Sequence, residues 1–161
     1  MLKLLSKHIM RIKNTICRRL KMFVLKCQYG KNFRYEKFHF RNGFHVYIED
    51  SGFIKIGKNC FFNNYCSITA RKEVVIGNDC IFGENVKIYD HNHKYSEKNI
   101  LIREQGFIAE SVIIENNCWI GSNVIILKGV RIGAGSVVGA GVVVYRDIPD
   151  NSVIISKQTI I

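Results

Sequence analysis

The densest group of chemically capable side chains in the sequence is Asp90-His91-Asn92-His93. Imidazole titrates nearest to neutrality of the common side chains, so either histidine could take a proton from a hydroxyl or amine, or lend a nitrogen to a metal. Two imidazoles two residues apart fit a catalytic base beside an acceptor contact, or a fragment of a metal site. His8, His39 and His45 stand in no comparable context and read as structural. Six cysteines (positions 17, 27, 60, 66, 80 and 118) supply further nucleophiles or ligands. No pair of them has the C-x-x-C spacing of a zinc knuckle or redox motif, so no metal is expected.

The elements that must position these residues follow from an internal period of six. An aliphatic or Phe residue recurs at Ile56, Phe62 and Ile68, at Ile76, Phe82 and Ile88, and at Ile114, Ile120, Ile126, Ile132, Val138 and Val144. Gly follows it at 57, 77, 83, 121, 133 and 139, and a small residue stands four places after it at Cys60, Cys66, Cys80, Val86, Cys118, Val124, Val130, Ser136 and Val142. A helix requires a period near 3.6 and an isolated strand a period of 2, so a strict six rich in β-branched residues predicts a solenoid of short strands, three to a coil. Each hexad then supplies one inward aliphatic, one inward small residue and a corner that tolerates Gly. Four of the cysteines occupy the small inward slot and read as buried, reduced thiols acting as small hydrophobes.

The period breaks at one recurring corner. Ile48 to Ile56 and Ile68 to Ile76 each take two extra residues, and Ile88 to Ile114 takes far more. Continuing the hexad through that gap would bury Lys98, Glu104 and Glu110, which an apolar interior does not accept. An extruded loop over about 94–113 is predicted, directly after the paired histidines.

The run Cys118-Trp119-Ile120-Gly121-Ser122-Asn123-Val124-Ile125-Ile126-Leu127-Lys128-Gly129-Val130-Arg131-Ile132-Gly133 resembles the W-I-G-x-N-V-x-I-L-x-G-V-x-I-G segment of hexapeptide-repeat acyltransferases, among them the galactoside, maltose and serine acetyltransferases. Val138-Gly139-Ala140-Gly141-Val142-Val143-Val144 with Asp147-Ile148-Pro149 resembles that family's ending, and Ile88-Tyr89-Asp90-His91-Asn92-His93 its I-Y-T-A-T-H segment. The likeness covers about residues 46–155. It implies an all-β, left-handed parallel β-helix, acetyl-CoA as co-substrate, and a homotrimer with active sites between neighbouring prisms. On the same basis His93 corresponds to the catalytic base, with His91 as a second imidazole, and Ser122 to the backbone N–H that holds the oxyanion. Asn63 corresponds to an acceptor-sugar contact, Ala140 to a pantetheine contact, and Tyr145 and Arg146 to positions near the nucleotide end of coenzyme A. The family's C-terminal G-x-P-A-[KR] element is replaced by Ser156-Lys157-Gln158-Thr159-Ile160-Ile161, where Lys157 could contact a phosphate. A carbonic anhydrase on this helix needs three distributed His ligands, which the repeat lacks.

Charge divides the chain in two. The formal net charge is +11, yet residues 1–45 hold 12 basic residues against the single acid Glu36, and residues 46–161 balance. Leu5, Ile9, Ile12, Ile16, Leu20, Phe23 and Cys27 form a helical apolar stripe among eight Lys or Arg and no acid. The stripe predicts a basic amphipathic helix over 1–28, either lying on the β-helix or resting on anionic lipid. A lead-in of interleaved aromatic and basic residues over 29–47 is expected to be irregular and to cover the end of the prism. It lacks any nucleic-acid motif, so no nucleic-acid partner is expected. The β-helix domain is then 48–155, with a short tail at 156–161. No transmembrane run and no export signal is visible, and free thiols make the cytoplasm the expected compartment. The functional expectation is an acetyl-CoA-dependent O-acetyltransferase acting on a sugar hydroxyl in surface polysaccharide biosynthesis. N-acetylation of a nucleotide-linked amino sugar and a non-catalytic β-helix scaffold are the alternatives.

Overall fold

The structure is a computed structural model that describes residues 2–156, with side-chain placements for all of these except residues 2–5, 7, 9 and 11. Lys157, and with it most of the short tail, lies outside the described residues. Helix α1 (Leu2–Tyr29) is followed by a short 3-10 turn and then by a parallel β-solenoid of triangular section. One face stacks β1 (Phe33–Tyr35), β4 (Phe53–Ile56), β7 (Glu73–Ile76), β12 (Val112–Ile114) and β15 (Arg131–Ile132). The second stacks β2 (His39–Phe40), β5 (Phe61–Phe62), β8 (Ile81–Phe82), β13 (Trp119–Ile120), β16 (Val137–Val138) and β18 (Val153–Ile154). The third stacks β3 (His45–Ile48), β6 (Ser67–Ala70), β9 (Lys87–Tyr89), β14 (Ile125–Ile126) and β17 (Val143–Val144).

Register follows the hexads. Ile56 pairs with Ile76, Phe62 with Phe82, Ile68 with Ile88, and Ile88 with Ile126, so like residues superpose from coil to coil. The aliphatic positions from Ile54 to Val144 are buried. The small inward slots hold more than small hydrophobes: Cys60 Sγ donates to Gly77 O at 3.1 Å, Cys66 to Gly83 O at 3.1 Å, Cys80 to Glu115 O at 3.1 Å and Cys118 to Gly133 O at 3.3 Å. Ser136 Oγ repeats the bond to Pro149 O at 2.8 Å. Burial pushes the Cys66 thiol above its ordinary range. Cys80 is pushed up by its thiol neighbours Cys118 and Cys60, whose own values it draws down.

The corner glycines serve a purpose other than conformational freedom. A Cβ on Gly83 would lie 2.5 Å from Ser122 N, and one on Gly121 2.6 Å from Ala140 N, so it is the close approach of the next coil that excludes side chains. Left-handed backbone falls two residues later, on Asn59, Asp79, Asn85 and Asn123, and on Asn117 at the equivalent place after Glu115, where the short polar side chain tolerates it.

Two expectations change at the N-terminal end. The lead-in is a regular first coil: β1, β2 and β3 pair in register with β4, β5 and β6. It escaped the six-residue pattern because no coil lies beneath it. Its small slot therefore holds Phe44, fully buried and 4.9 Å from the rings of both Phe40 and Phe62, and Phe62 stacks on Phe82 at 4.3 Å. Helix α1 docks on this coil with Leu25, Met22 and Tyr29, helped by hydrogen bonds from Lys21 Nζ to Phe44 O and from Tyr29 OH to Val46 O (3.3 Å). The predicted apolar stripe is not the docked face. Ile12, Ile16, Leu20 and Phe23 remain exposed, as does Cys27, on the side of the helix opposite Leu25; the side chains of Leu5 and Ile9 are outside the described set. Among the described residues, no helix is long and apolar enough to cross a membrane.

Candidate functional site

The site is built where the period breaks, at the corner between the third and first faces. Residues 49–52 and 71–72 bridge it in the second and third coils, and after β9 the chain leaves the solenoid altogether. Strands β10 (His91–His93) and β11 (Phe107–Ala109) pair antiparallel, His91 opposite Ala109 and His93 opposite Phe107. The excursion therefore begins at the histidines rather than at 94. Gln105 ties its far end: its side chain accepts from Glu97 N at 3.0 Å and donates to Glu97 O and Ile100 O at 2.9 and 2.8 Å.

Asp90 organises this corner. It is fully buried and accepts from Arg71 N at 2.9 Å and from Lys72 N and Glu73 N at 2.7 Å. A turn of successive N–H groups is a natural carboxylate cradle. Its other partner is His91 Nδ1 at 2.9 Å. A carboxylate that takes three backbone N–H bonds accepts here too, so the proton of this bond sits on His91 Nδ1 and Nε2 is the nitrogen not engaged by Asp90. His93 is exposed, and its ring lies 4.3 Å from that of Phe107. Arg71 completes the platform, with its guanidinium carbon 3.5 Å from the Phe107 ring centre and ion pairs to Glu49 and to Asp50 (2.6 Å). Asp90, Arg71 and Phe107 were not singled out as site residues in the sequence. The one available signal was an acid directly preceding the first histidine.

The remaining candidates divide between two corners. Tyr145 and Arg146 are exposed at the same corner as the histidines, two coils further on, with the guanidinium 5.4 Å from the Tyr145 ring beside a cavity of about 290 Å³. Asn63, Ser122 and Ala140 stack at the next corner, between the second and third faces, where Asn63 Oδ1 accepts from Arg41 Nη1 at 3.2 Å. At such corners the second N–H is commonly satisfied by the equivalent side chain one coil on. Asn78 Oδ1 serves Lys58 N at 2.9 Å, Asn116 Oδ1 serves Asn78 N at 2.7 Å, and Ser122 Oγ serves Glu84 N at 3.1 Å. The next equivalent above Ser122 is Ala140, which has no acceptor, and among the described residues nothing accepts from Ser122 N–H. That donor is open to a ligand. Also among the described residues, no group of three or more His, Cys, Asp or Glu is placed to hold a metal ion.

Residues 111–146 match the family described as the hexapeptide repeat of succinyl-transferase. The galactoside O-acetyltransferase of Lactococcus lactis is 39% identical over 101 residues, covering 62% of this chain and 47% of that one. The putative lipopolysaccharide biosynthesis O-acetyl transferase WbbJ of Escherichia coli is 38% identical over 110 residues, covering 64% and 56%. A hexapeptide-repeat acetyltransferase of Vibrio cholerae, solved with acetyl coenzyme A, superposes with a TM-score of 0.69 at 27% identity, over 84% of this chain and 71% of that one. The chain spans about half the length of the curated relatives it matches. Repeat, coil register and matched segments together make the chain a hexapeptide-repeat β-helix similar to those of the hexapeptide-repeat acetyltransferases.

Proposed function

We propose that the protein is an acetyl-CoA-dependent O-acetyltransferase that acts on a sugar hydroxyl in surface polysaccharide biosynthesis, as a homotrimer. The observation that carries this reading is the division of the chemistry between two prism corners. The imidazoles project from one, while the open Ser122 N–H and Asn63 occupy another. One prism cannot bring its own two sets together, whereas two prisms side by side place the histidine corner of one against the Ser122 corner of the next.

In that cleft His93, exposed on its strand, takes the proton of the acceptor hydroxyl as the oxygen attacks the thioester carbonyl. Ser122 N–H receives the oxyanion that forms. Collapse breaks the C–S bond, and the imidazolium returns its proton to the departing thiolate, so no acyl-enzyme is needed. Ala140, Tyr145 and Arg146 line the coenzyme side. Asp90 and His91 act as a positioning pair behind His93, with Phe107 setting the ring between them and Arg71. The test is acetyl transfer from acetyl-CoA across hydroxyl and amino sugars, comparing the wild-type protein with His93→Ala and His91→Ala. Loss of about 10²–10⁴ in kcat is expected for His93→Ala, the usual contribution of a general base. Undiminished turnover in that variant refutes the assignment, and transfer to amino sugars alone replaces O- by N-acetylation.

The reading also places the enzyme at the cytoplasmic face of an anionic membrane. The exposed stripe of Ile12, Ile16, Leu20 and Phe23 faces away from the solenoid and is flanked by Lys13, Arg19 and Lys26, with no acid anywhere in α1. A second copy of so basic a helix would be repelled, whereas an anionic lipid surface complements both the stripe and the charge. Flotation with anionic vesicles is expected for the wild type and not for Ile16→Glu/Phe23→Glu. Equal behaviour of the two, or binding insensitive to salt, refutes this placement.

A further inference from the structure

A cavity of about 360 Å³ separates α1 from the first coil, away from the histidine corner. Its wall on the helix side is Asn14, Cys17, Arg18 and Lys21; on the solenoid side it is Phe40, Arg41, Asn42, Gly43, Phe44 and Asn64. Three cations and three amides line it, and no acid does. The Glu84 carboxylate, which accepts from Asn64 Nδ2 at 3.0 Å, lies one coil further on and is not part of the wall. Burial also lowers the Lys21 ammonium from its ordinary range, the cost that a bound anion would offset.

The place of this cavity along the solenoid gives it a meaning. It opens at the corner that carries Asn63, Ser122 and Ala140, and Arg41 on its wall is bonded to Asn63. Successive coils rise by about 4.8 Å. Ser122 is in the fourth coil, the histidine excursion leaves the third, Asn63 is in the second and the cavity lies under the first and second. For an acceptor entering opposite the coenzyme, the cationic cavity therefore lies outside Asn63 and about 10 Å from the reacting level, a span of one or two sugar units.

We propose that the cavity between α1 and the first coil is an anion subsite that holds the phosphate or carboxylate of an anionic saccharide, with Arg18, Lys21 and Arg41 as its cationic wall. The inference rests on the acetyltransferase reading only in naming the bound saccharide as the acceptor; the subsite itself stands on the cavity. No carboxylate on this wall balances the three cations, and an oxyanion ester meets guanidinium groups in the geometry they bind best.

The cavity contains its own reporter. Cys17 lines it and is exposed, while Cys27, equally exposed, lies elsewhere on the same helix. Alkylation of the full-length protein by iodoacetamide, read thiol by thiol by mass spectrometry, is compared at matched ionic strength with glucose, inorganic phosphate, glucose 1-phosphate or glucuronate present. Expected is saturable protection of Cys17, by at least fivefold in rate, with glucose 1-phosphate or glucuronate, while Cys27 is unaffected. Arg18→Gln is expected to weaken the protecting ligand at least tenfold and Arg18→Lys to restore part of it. The Arg18 side chain bonds to Thr15 at 3.5 Å on the exposed surface of the helix, a contact the fold does not depend on. Whichever of the two sugar anions protects at lower concentration identifies the phosphate or carboxylate class. Protection by glucose alone, equal slowing of both thiols, or protection unchanged in Arg18→Gln overturns the subsite. Inorganic phosphate protecting as well as glucose 1-phosphate overturns its saccharide part. Acetyl transfer is not read in this experiment, so protection without any detectable transferase activity would uphold the subsite while refuting the proposed function.

Discussion

Replacing Asp90 by Asn changes no volume and removes one charge, and the geometry around Asp90 sets the size of the effect. Four N–H groups converge on the carboxylate: Arg71 N, Lys72 N, Glu73 N and His91 Nδ1. Hydrogen bonds to a charged group contribute about 1.5–3 kcal/mol each, against about 1 kcal/mol for neutral ones. The Asn oxygen can keep Lys72 N, Glu73 N and the 3.1 Å bond from Arg71 N, but its NH₂ then faces His91, whose ring must move its proton to Nε2 in order to accept. Loss of charge assistance on the retained bonds and of the second acceptor of Arg71 N gives about 2–4 kcal/mol of destabilisation. For a chain of this size that corresponds to a fall in Tm of about 5–15 °C. Asp90→Ala, which leaves all four donors bare, should cost more than about 4 kcal/mol. Urea and thermal unfolding measure the stability, and ¹⁵N chemical shifts of the imidazoles report the tautomer. Wild type should show His91 protonated on Nδ1 and Asp90→Asn on Nε2. A Tm within about 2 °C of wild type, or an unchanged His91 tautomer, would refute the account of Asp90 as the buried anchor of this corner.

Three more outcomes follow from the same geometry. Gly83→Ala should be destabilised by at least about 2 kcal/mol, because its Cβ meets backbone rather than a movable side chain; wild-type urea stability would contradict the close approach described at Ser122. Native protein should expose two of its six thiols, Cys17 and Cys27, to an aromatic disulfide reagent and all six in guanidinium; a third fast thiol would contradict the inward ladder. Phe107→Ala removes the ring that contacts Arg71 and both imidazoles. Acetyl transfer should fall about 10²-fold, the usual effect of a small misplacement of a catalytic group, with Tm within about 5 °C of wild type. A Tm collapse instead would make the ring a core element.

The solenoid was legible because Ile, Val and Phe at every sixth place leave no other way to bury one face repeatedly. The inward thiols were legible from the same count, although their bonds to carbonyls one coil on were not, since a period gives slots and not partners. The helix was visible as a helix, but its apolar stripe is not the face that docks on the solenoid. Docking is decided by Leu25, Met22 and Tyr29 near its end, a shorter set than the stripe, which join the core of the first coil. The first coil was hidden because a terminal coil has no lower neighbour to demand a small residue at Phe44. His91 and His93 stood out by type. The buried carboxylate that fixes one of them did not, because a buried acid becomes plausible only once the three backbone donors of 71–73 are seen to surround it.

The corner after the third face has a consequence for how such a protein can diversify. From the second coil on, the other two corners keep the six-residue spacing, held by backbone bonds such as Asn59 N to Lys37 O and Asn85 N to Asn64 O between successive coils. At the third corner β9 and β12 are each pinned by their sheets, and whatever is spliced between them leaves the register of the core untouched. Lengthening a loop whose ends are already fixed costs only about 0.6 kcal/mol per doubling. A lineage could therefore exchange the segment between Asp90 and Val112 for another of different length and acceptor preference in a single step, while coil pairing and the open N–H of Ser122 were inherited unchanged.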